Sequence, residues 1–565
     1  MKSTLNATEL LQNTRMLLGF VLYLKRLRGY SVYLSVPKGE RMQYNTLTFL
    51  VFFTAFLLLY LASPFKRLRK LILLAGNIIF YSYGTDYTTL IILLWTSLII
   101  YLISFIMHWI YQGYERRTAD FDRKKKQKLL SRYKMFTFPF LLIGLAAVLG
   151  VLVYTKVGGL FGWERVESLR DFTFGKLLVP LGISYYTFSG TGYLLDVYWR
   201  KAKWEKNPIN IFLAISFFPS VVQGPINRWP KLFEQFNNLP GFNYDRVCFG
   251  LQRMIWGITK KLVCADRLSL FSTEIFTNLQ NFAGVEVICA VLANALAIYA
   301  DFSGCMDIVI GAAETMGITI DENFRQPFFA KDCAEFWRRW HITLGTWFKD
   351  YIYMPIAMWK PFMKFCGFFR KHKMKRLGTI IGTAVPLLIT WFLTGLWHGT
   401  GEDYIVWGFY WGILILLETI FAPEFKKLRE LLKIHPDSFG LKLFKMIKTF
   451  LFFCIGRMLT ATGTIEGFFY TVQRIFADSK LWVLINENIY THGLDRRNFH
   501  VVLITLVLMW VIDFMHERGI QIRAKIARQP LLLRWIIYLG LIVFVIIYGM
   551  YGSAFDTSNF AYGAF

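Results

Sequence analysis

The sequence predicts an all-α, polytopic integral membrane protein with roughly eleven to thirteen membrane-embedded helices, some of them re-entrant. Three observations carry that expectation. Of the 565 residues, 55% are drawn from AVILMFWYC and only 18% are charged, against about a quarter charged in a soluble domain; the mean hydropathy is +0.41. Apolar runs long enough, or nearly so, to cross a hydrocarbon core of about 30 Å recur along the chain. The basic residues fall in short blocks between those runs.

The clearest apolar runs are Thr46 to Ser63, Thr88 to Ile110, Met135 to Tyr154 and Val501 to Phe514. The blocks Arg123 to Lys128, Arg370 to Arg376 and Lys426 to Lys433 belong in cytoplasmic loops, because short Lys/Arg-rich loops are retained on that side. A formal charge of +27 suits a nucleic-acid partner when the cations share one folded surface; dispersed between spans they set topology, so membrane lipid is the expected environment and no nucleic acid is expected. The seven cysteines are scattered, without a C-x-x-C pair, and read as small core hydrophobes with neither a disulfide framework nor a metal site. No segment has the shape of a cleaved signal peptide. Leu10 to Arg28 mixes a short apolar stretch with Arg15, Lys25, Arg26 and Arg28, which predicts an interfacial amphipathic helix. The expected division is therefore an extension over 1–41, a membrane domain over 42–549 and a short aromatic tail over 550–565.

Ionisable groups beside apolar segments are costly to bury, so each is a functional candidate until a partner explains it. Three stretches hold most of them. In Tyr299 to Asp307, Asp301, Ser303 and Asp307 follow the apolar run Val285 to Ile298. Two positions apart on a continuous helix, Asp301 and Ser303 would point to nearly opposite sides and one would meet lipid; a helix break near Gly304 is expected, with these groups capping the broken end or taking part in chemistry. In Asp332 to Pro355, a continuous helix would align Trp337, His341, Leu344 and Phe348 on one stripe and Arg338 with Lys349 on another. That helix reads equally as a basic, tryptophan-rich interfacial anchor and as a surface on which Arg338, Arg339 and Lys349 hold the phosphates of a donor while His341 points inward. In Trp391 to Gly401, at the end of the run Leu377 to Trp397, a continuing helix puts His398 on one face with Thr394 and Trp391, and Gly395 would leave room beside it for a substrate. A desolvated histidine there is neutral and basic enough to take a proton; the plainer alternative is a hydrogen-bonded core histidine. His516-Glu517 lacks the second histidine of a zinc-protease helix; of the remaining histidines, His372, His435 and His492 sit in polar loops and His108 and His500 at the ends of apolar runs, and all five are expected to be solvated or interfacial.

The second and third stretches, together with Pro180 to Phe188, Phe217 to Pro225, Lys260-Lys261 with Asp266, Asp301 to Gly304 with Asp307, and Asn323-Phe324, resemble the membrane-bound O-acyltransferase family. Within it the likeness is to the bacterial branch of alginate O-acetyltransferase and related polysaccharide acetylation proteins. The resemblance covers most of the chain from Met42 onward. It implies helices around a central tunnel, with His398 as the principal catalytic histidine and His341, Trp340 and Trp397 beside the same passage. It also implies a cytoplasmic acyl-thioester donor, acetyl-CoA as substrate, with no permanently bound cofactor. A multi-pass protein of the bacterial cytoplasmic (inner) membrane follows, working with an extracytoplasmic SGNH-type acetyltransferase partner and, through it, a polysaccharide acceptor.

The chain ends Phe560-Ala-Tyr-Gly-Ala-Phe565, similar to an aromatic hexapeptide that closes some members of this branch. That likeness implies that Tyr562 accepts the acyl group and passes it on outside, although Ala561, Gly563 and Ala564 replace bulkier residues. Two other readings stay in view: D-alanyl transfer to teichoic acid, and a non-enzymatic transporter or flippase, whose pathway would also be marked by polar groups at broken helices.

Overall fold

The computed structural model describes residues 42–83, 85, 87–166, 177–477, 480–484 and 488–551. The predicted extension over 1–41 and residues 552–565 of the predicted tail, Tyr562 among them, lie outside the described residues. From Met42 onward the chain forms one compact unit.

Its principal helices, numbered here in chain order, are α1 (Leu47–Ala62), α2 (Lys66–Ser82), α3 (Tyr87–Thr118), α4 (Arg123–Leu160), α5 (Ile183–Tyr198), α6 (Tyr244–Ile258), α7 (Asp266–Thr277), α8 (Gly284–Thr315), α9 (Cys333–Arg339), α10 (Ile342–Phe348), α11 (Lys360–Lys371), α12 (Lys375–His398), α13 (Glu402–Leu431), α14 (Phe439–Ala461), α15 (Ile465–Ala477), α16 (Arg496–Glu517) and α17 (Leu531–Tyr548). The named strands among the described residues are a parallel two-residue pair, β1 (Arg165–Val166) and β2 (Leu177–Leu178). Seven described helices, α3, α4, α8, α12, α13, α16 and α17, are long and apolar enough to cross a membrane. The protein is thus all-α and polytopic, and its remaining helices are shorter. Helix starts follow ordinary capping chemistry: the side chains of Thr46, Asn243, Asp332 and Asp495 accept the backbone N–H three residues on.

Helix α8 lies at the centre, with 72% of its apolar window buried, whereas α17 buries 6% and faces lipid almost entirely. The helix break expected near Gly304 does not occur; α8 runs through it without interruption. A break would be needed only if one flank of α8 met lipid, and α8 is packed by protein on both sides. Gly304 serves close packing instead. A Cβ there would stand 2.8 Å from the Gly257 carbonyl oxygen, and one on Gly257 would stand 2.4 Å from that of Gly304, so only two glycines allow α6 and α8 to cross at this distance.

Beyond α6 the chain widens into a π-helical turn, Thr259–Ala265, which turns two consecutive lysines toward α8. Lys261 Nζ lies 2.8 Å from both Asp266 Oδ1 and Asp301 Oδ1. Lys260 Nζ donates to Ser303 Oγ at 3.2 Å and to Asp307 Oδ2 at 2.7 Å, and Arg253 Nε meets Asp307 Oδ1 at 2.9 Å. Asp301, Ser303 and Asp307 are therefore neither helix caps nor lipid-facing, but members of a buried ion-pair network that joins α6, the π-turn and α8.

The α12–α13 hairpin fixes which groups share an end. Arg376 Nη2 lies 2.6 Å from Glu424 Oε1, so the basic blocks around Arg376 and Lys426 sit together. His398 closes α12 at the opposite end, about 34 Å along the axis from Lys375 at 1.5 Å per residue. Helix α14 returns to that same end, where Ile465 N at the start of α15 donates to Glu402 Oε1 at 3.2 Å.

Candidate active site

The expected continuous helix from Asp332 to Pro355 is two helices with a sharp turn between them. Asp332 Oδ1 caps α9 by accepting from Glu335 N at 2.6 Å; α9 stops at Arg339, Trp340 is extended, and His341 adopts a left-handed conformation with φ +46° before α10 begins. Asn323 holds that turn. The Ile342 N–H donates to the Asn323 backbone oxygen at 3.0 Å, and the Thr343 N–H and Oγ1 donate to Asn323 Oδ1 at 3.1 and 2.8 Å. The turn gives α9 a strong reason to end where the α-helical pattern would run on, because these three bonds to Asn323 replace helical ones. The stripe predicted for Trp337, His341, Leu344 and Phe348 and the shared face of Arg338 and Lys349 disappear with the continuous helix.

His341 is 2% exposed, and its Nδ1 lies 3.3 Å from Asn323 Oδ1. Because Oδ1 already accepts from the Thr343 N–H, it is the oxygen and not the amide nitrogen that faces the ring, so Nδ1 donates and Nε2 carries the lone pair. Phe302 of α8 packs edge-on against the ring at 4.8 Å and Tyr185 of α5 stacks at 6.4 Å between centroids.

Helix α12 continues to its last residue, His398, as expected, and His398 is 5% exposed. The Trp397 indole stands between the two histidines, 6.0 Å from the His341 ring and 4.6 Å from that of His398. Trp397 Nε1 has no hydrogen-bond partner among the described residues. Tyr404 and Trp407 of α13 complete the surround of His398, at 6.4 and 5.0 Å. Thr394 is buried on the same face, but its Oγ1 donates to the Thr390 carbonyl at 2.8 Å, within its own helix. The room expected beside Gly395 is filled: a Cβ there would meet the Tyr404 carbonyl oxygen at 2.4 Å and Gly408 Cα at 3.3 Å. Gly395 brings α13 against α12 and so places Tyr404 and Trp407 around the imidazole; it does not make space for a ligand.

Of the three cations expected at the donor, Arg339 is engaged elsewhere. It ties Glu335 and Glu517 at 2.7 Å each; although burial pushes Glu335 up, the Lys331 N–H and the Arg339 guanidinium hold its carboxyl below the usual range. Arg338 is largely exposed, 4.0 Å from Asp332, and Lys349 is exposed and forms no ion pair among the described residues. Trp340 packs into an aromatic cluster with Phe324, Phe336 and Phe453 at 5.0, 5.6 and 4.9 Å. Two neighbours of His341 were not singled out from sequence: Asn323, visible only as half of an Asn-Phe pair, and Tyr185, the first of two tyrosines between Ser184 and Thr187. His492, expected to be solvated, pairs with Glu286 at 2.7 Å.

Residues 77–368 match the pattern of "MBOAT, membrane-bound O-acyltransferase family". The chain is 29% identical to "Probable alginate O-acetylase AlgI" of Pseudomonas syringae pv. tomato over 83% of its own length and 81% of that protein. It is 32% identical to the protein of the same name in Pseudomonas putida, over 66% of this chain and 70% of that one. "Teichoic acid D-alanyltransferase" of Bacillus subtilis matches at 28% over 50% of this chain and 68% of that one. A polytopic helical frame that matches this pattern over more than half of its length, with relatives about 30% identical, identifies the chain as a member of the membrane-bound O-acyltransferase family, an O-acyltransferase of the membrane.

Proposed function

We propose that this O-acyltransferase takes an acetyl group from acetyl-CoA on the cytoplasmic side of a bacterial inner membrane and delivers it toward a polysaccharide outside. The observation that carries the reading is the pair of buried histidines around Trp397, with the His341 tautomer fixed by Asn323. A hydroxyl nucleophile loses its proton to an imidazole nitrogen as its oxygen bonds to the thioester carbonyl carbon. The tetrahedral intermediate then expels the thiolate, which receives that proton. His398 is the base in this reading, and the uncommitted Trp397 N–H is a donor for the developing oxyanion. Longer alignments to proteins named for alginate O-acetylation than to those named for D-alanyl transfer favour acetyl. The basic blocks gathered at the far end of the α12–α13 hairpin support a cytoplasmic donor entrance there, with Arg338 and Lys349 as phosphate contacts. Transfer then continues through a central tunnel to an SGNH-type extracytoplasmic partner.

The acceptor hydroxyl on this chain is, in the same proposal, that of Tyr562. Purified protein incubated with acetyl-labelled acetyl-CoA is expected to release CoA and to carry label on its C-terminal peptide. Label that persists unchanged in Tyr562→Phe removes the relay. Absence of any thioester cleavage removes acetyl-CoA as the donor.

A further inference from the structure

We infer that the corner where α11 meets α12 is a binding surface for an acidic phospholipid, with the headgroup on Arg370 and the lysines of α11 and an acyl chain along α12. From Met358 to Leu377 the chain carries seven Lys or Arg and neither Asp nor Glu. A basic block sets topology by its charge alone and needs no particular face. This one has faces. Helix α11 packs on α12 through one side, where Cys366 is buried; a Cβ on Gly378 would meet the Cys366 carbonyl oxygen at 2.7 Å and Phe369 Cβ at 3.1 Å. Away from that contact, Lys360, Lys364 and Lys371 form one stripe by helical spacing, and Phe365 and Phe368 form the next. All five are exposed, the two rings by 53% and 54%. A lysine stripe beside a phenylalanine stripe, on a helix docked to a span, suits the layer where headgroups meet acyl chains.

Arg370 gives the surface a fixed point. Its Cγ would stand 3.1 Å from a Cβ on Gly378, and its Nη2 3.9 Å from one on Gly382. The stem therefore runs along α12 and carries the guanidinium toward the bilayer, to a level about 10 Å along the axis from Lys375. No carboxylate comes within 4.0 Å of Arg370, Lys360, Lys364 or Lys371 among the described residues, and Glu424 of α13 is already held by Arg376 at 2.6 Å. Beyond Gly382 the same stripe of α12 continues with Val385 and Ile389, 38% and 39% exposed.

Cations followed by an exposed apolar stripe match, in order, a phosphodiester and an acyl chain. The guanidinium fork fits two phosphate oxygens, and the lysines favour a headgroup of net negative charge over a zwitterionic one. A soluble phosphate compound satisfies the cations but leaves Phe365, Phe368, Val385 and Ile389 uncovered. The inference rests on the membrane-spanning architecture and is independent of the acyl donor and acceptor.

Native mass spectrometry of the full chain in neutral detergent tests it with palmitoyl-oleoyl phosphatidylglycerol against phosphatidylcholine of the same chains. Phosphatidylglycerol is expected to bind about tenfold more tightly, with an advantage that shrinks as salt rises. Arg370→Gln is expected to cut the advantage to about twofold or less, and the double variant Lys364→Gln, Lys371→Gln to lower it in part. The lysine pair is exposed and leaves the α11–α12 contact intact, so it decides the matter even if Arg370→Gln folds poorly. Arg123→Gln with Lys124→Gln removes the same charge from another basic loop and is expected to keep the full advantage. Equal binding of the two lipids, an advantage untouched by the Arg370 and lysine variants, or an equal fall in the Arg123 and Lys124 variant overturns the inference. Glycerol phosphate or coenzyme A that displaces phosphatidylglycerol at equal concentration, with the same dependence on Arg370, reassigns the face to soluble phosphates and overturns the lipid reading.

Discussion

Around Lys260 and Lys261 the bundle buries three cations, with Arg253, against the three carboxylates of Asp266, Asp301 and Asp307, at distances of 2.7 to 2.9 Å. Around His341 and His398 it buries two imidazoles in an aromatic shell, with one tautomer fixed and an indole N–H uncommitted among the described residues. Both clusters would be flagged by the rule that buried ionisable groups mark function. Their partners separate them. Charges that neutralise one another across three elements lock those elements together, and little is left to act on a substrate. The histidine cluster instead orients two imidazoles with a neutral amide and aromatic walls.

The comparison is broken most decisively at His398. His398→Ala is expected to lower acyl transfer by about 10²- to 10⁴-fold, the range for loss of a general base, with the unfolding midpoint close to that of the parent; thiol release from acetyl-CoA is the measurement. A variant that transfers acyl groups at the parental rate moves the chemistry away from this cluster. Lys261→Met should do the reverse. Removing the cation leaves Asp266 and Asp301 buried without it, at a cost of about 3–5 kcal/mol, so folded yield and thermal stability fall while the protein that does fold keeps its turnover. Turnover lost from a stably folded Lys261→Met protein would place the charged cluster in the catalytic path. Asn323→Ala is the finer probe, because it removes the Nδ1 acceptor and frees the His341 tautomer. A loss of about 10- to 100-fold in kcat with a much smaller change in KM is expected, by analogy with other orienting partners of histidine; an unchanged kcat would make Asn323 a turn-holding residue only.

The spans were legible because lipid demands an unbroken apolar run, and such runs survive in one dimension. His398 was legible for the same reason, as the last residue of a run that continued. What failed were arguments from helical faces. The register through His341 assumed a helix that Asn323, some eighteen positions upstream, interrupts with bonds no local pattern announces. At Gly304 the error ran the other way: a break was inferred from polar groups on two sides of α8, whose partners, Lys260 and Lys261, approach from another helix. Gly395 was correctly noticed as permitting close approach, but sequence could not say that the approaching group was α13. The missing information in each case was tertiary, a neighbour supplied from elsewhere in the chain.

The left-handed backbone of His341 has an evolutionary consequence. Glycine would adopt φ +46° with less strain, by about 1 kcal/mol, so drift at this position is pulled toward a residue that folds more easily and carries no ring. His341→Gly should melt at or above the temperature of His341→Ala in detergent while both are impaired in transfer. That ordering would mean the imidazole is retained against the conformational preference of its own backbone.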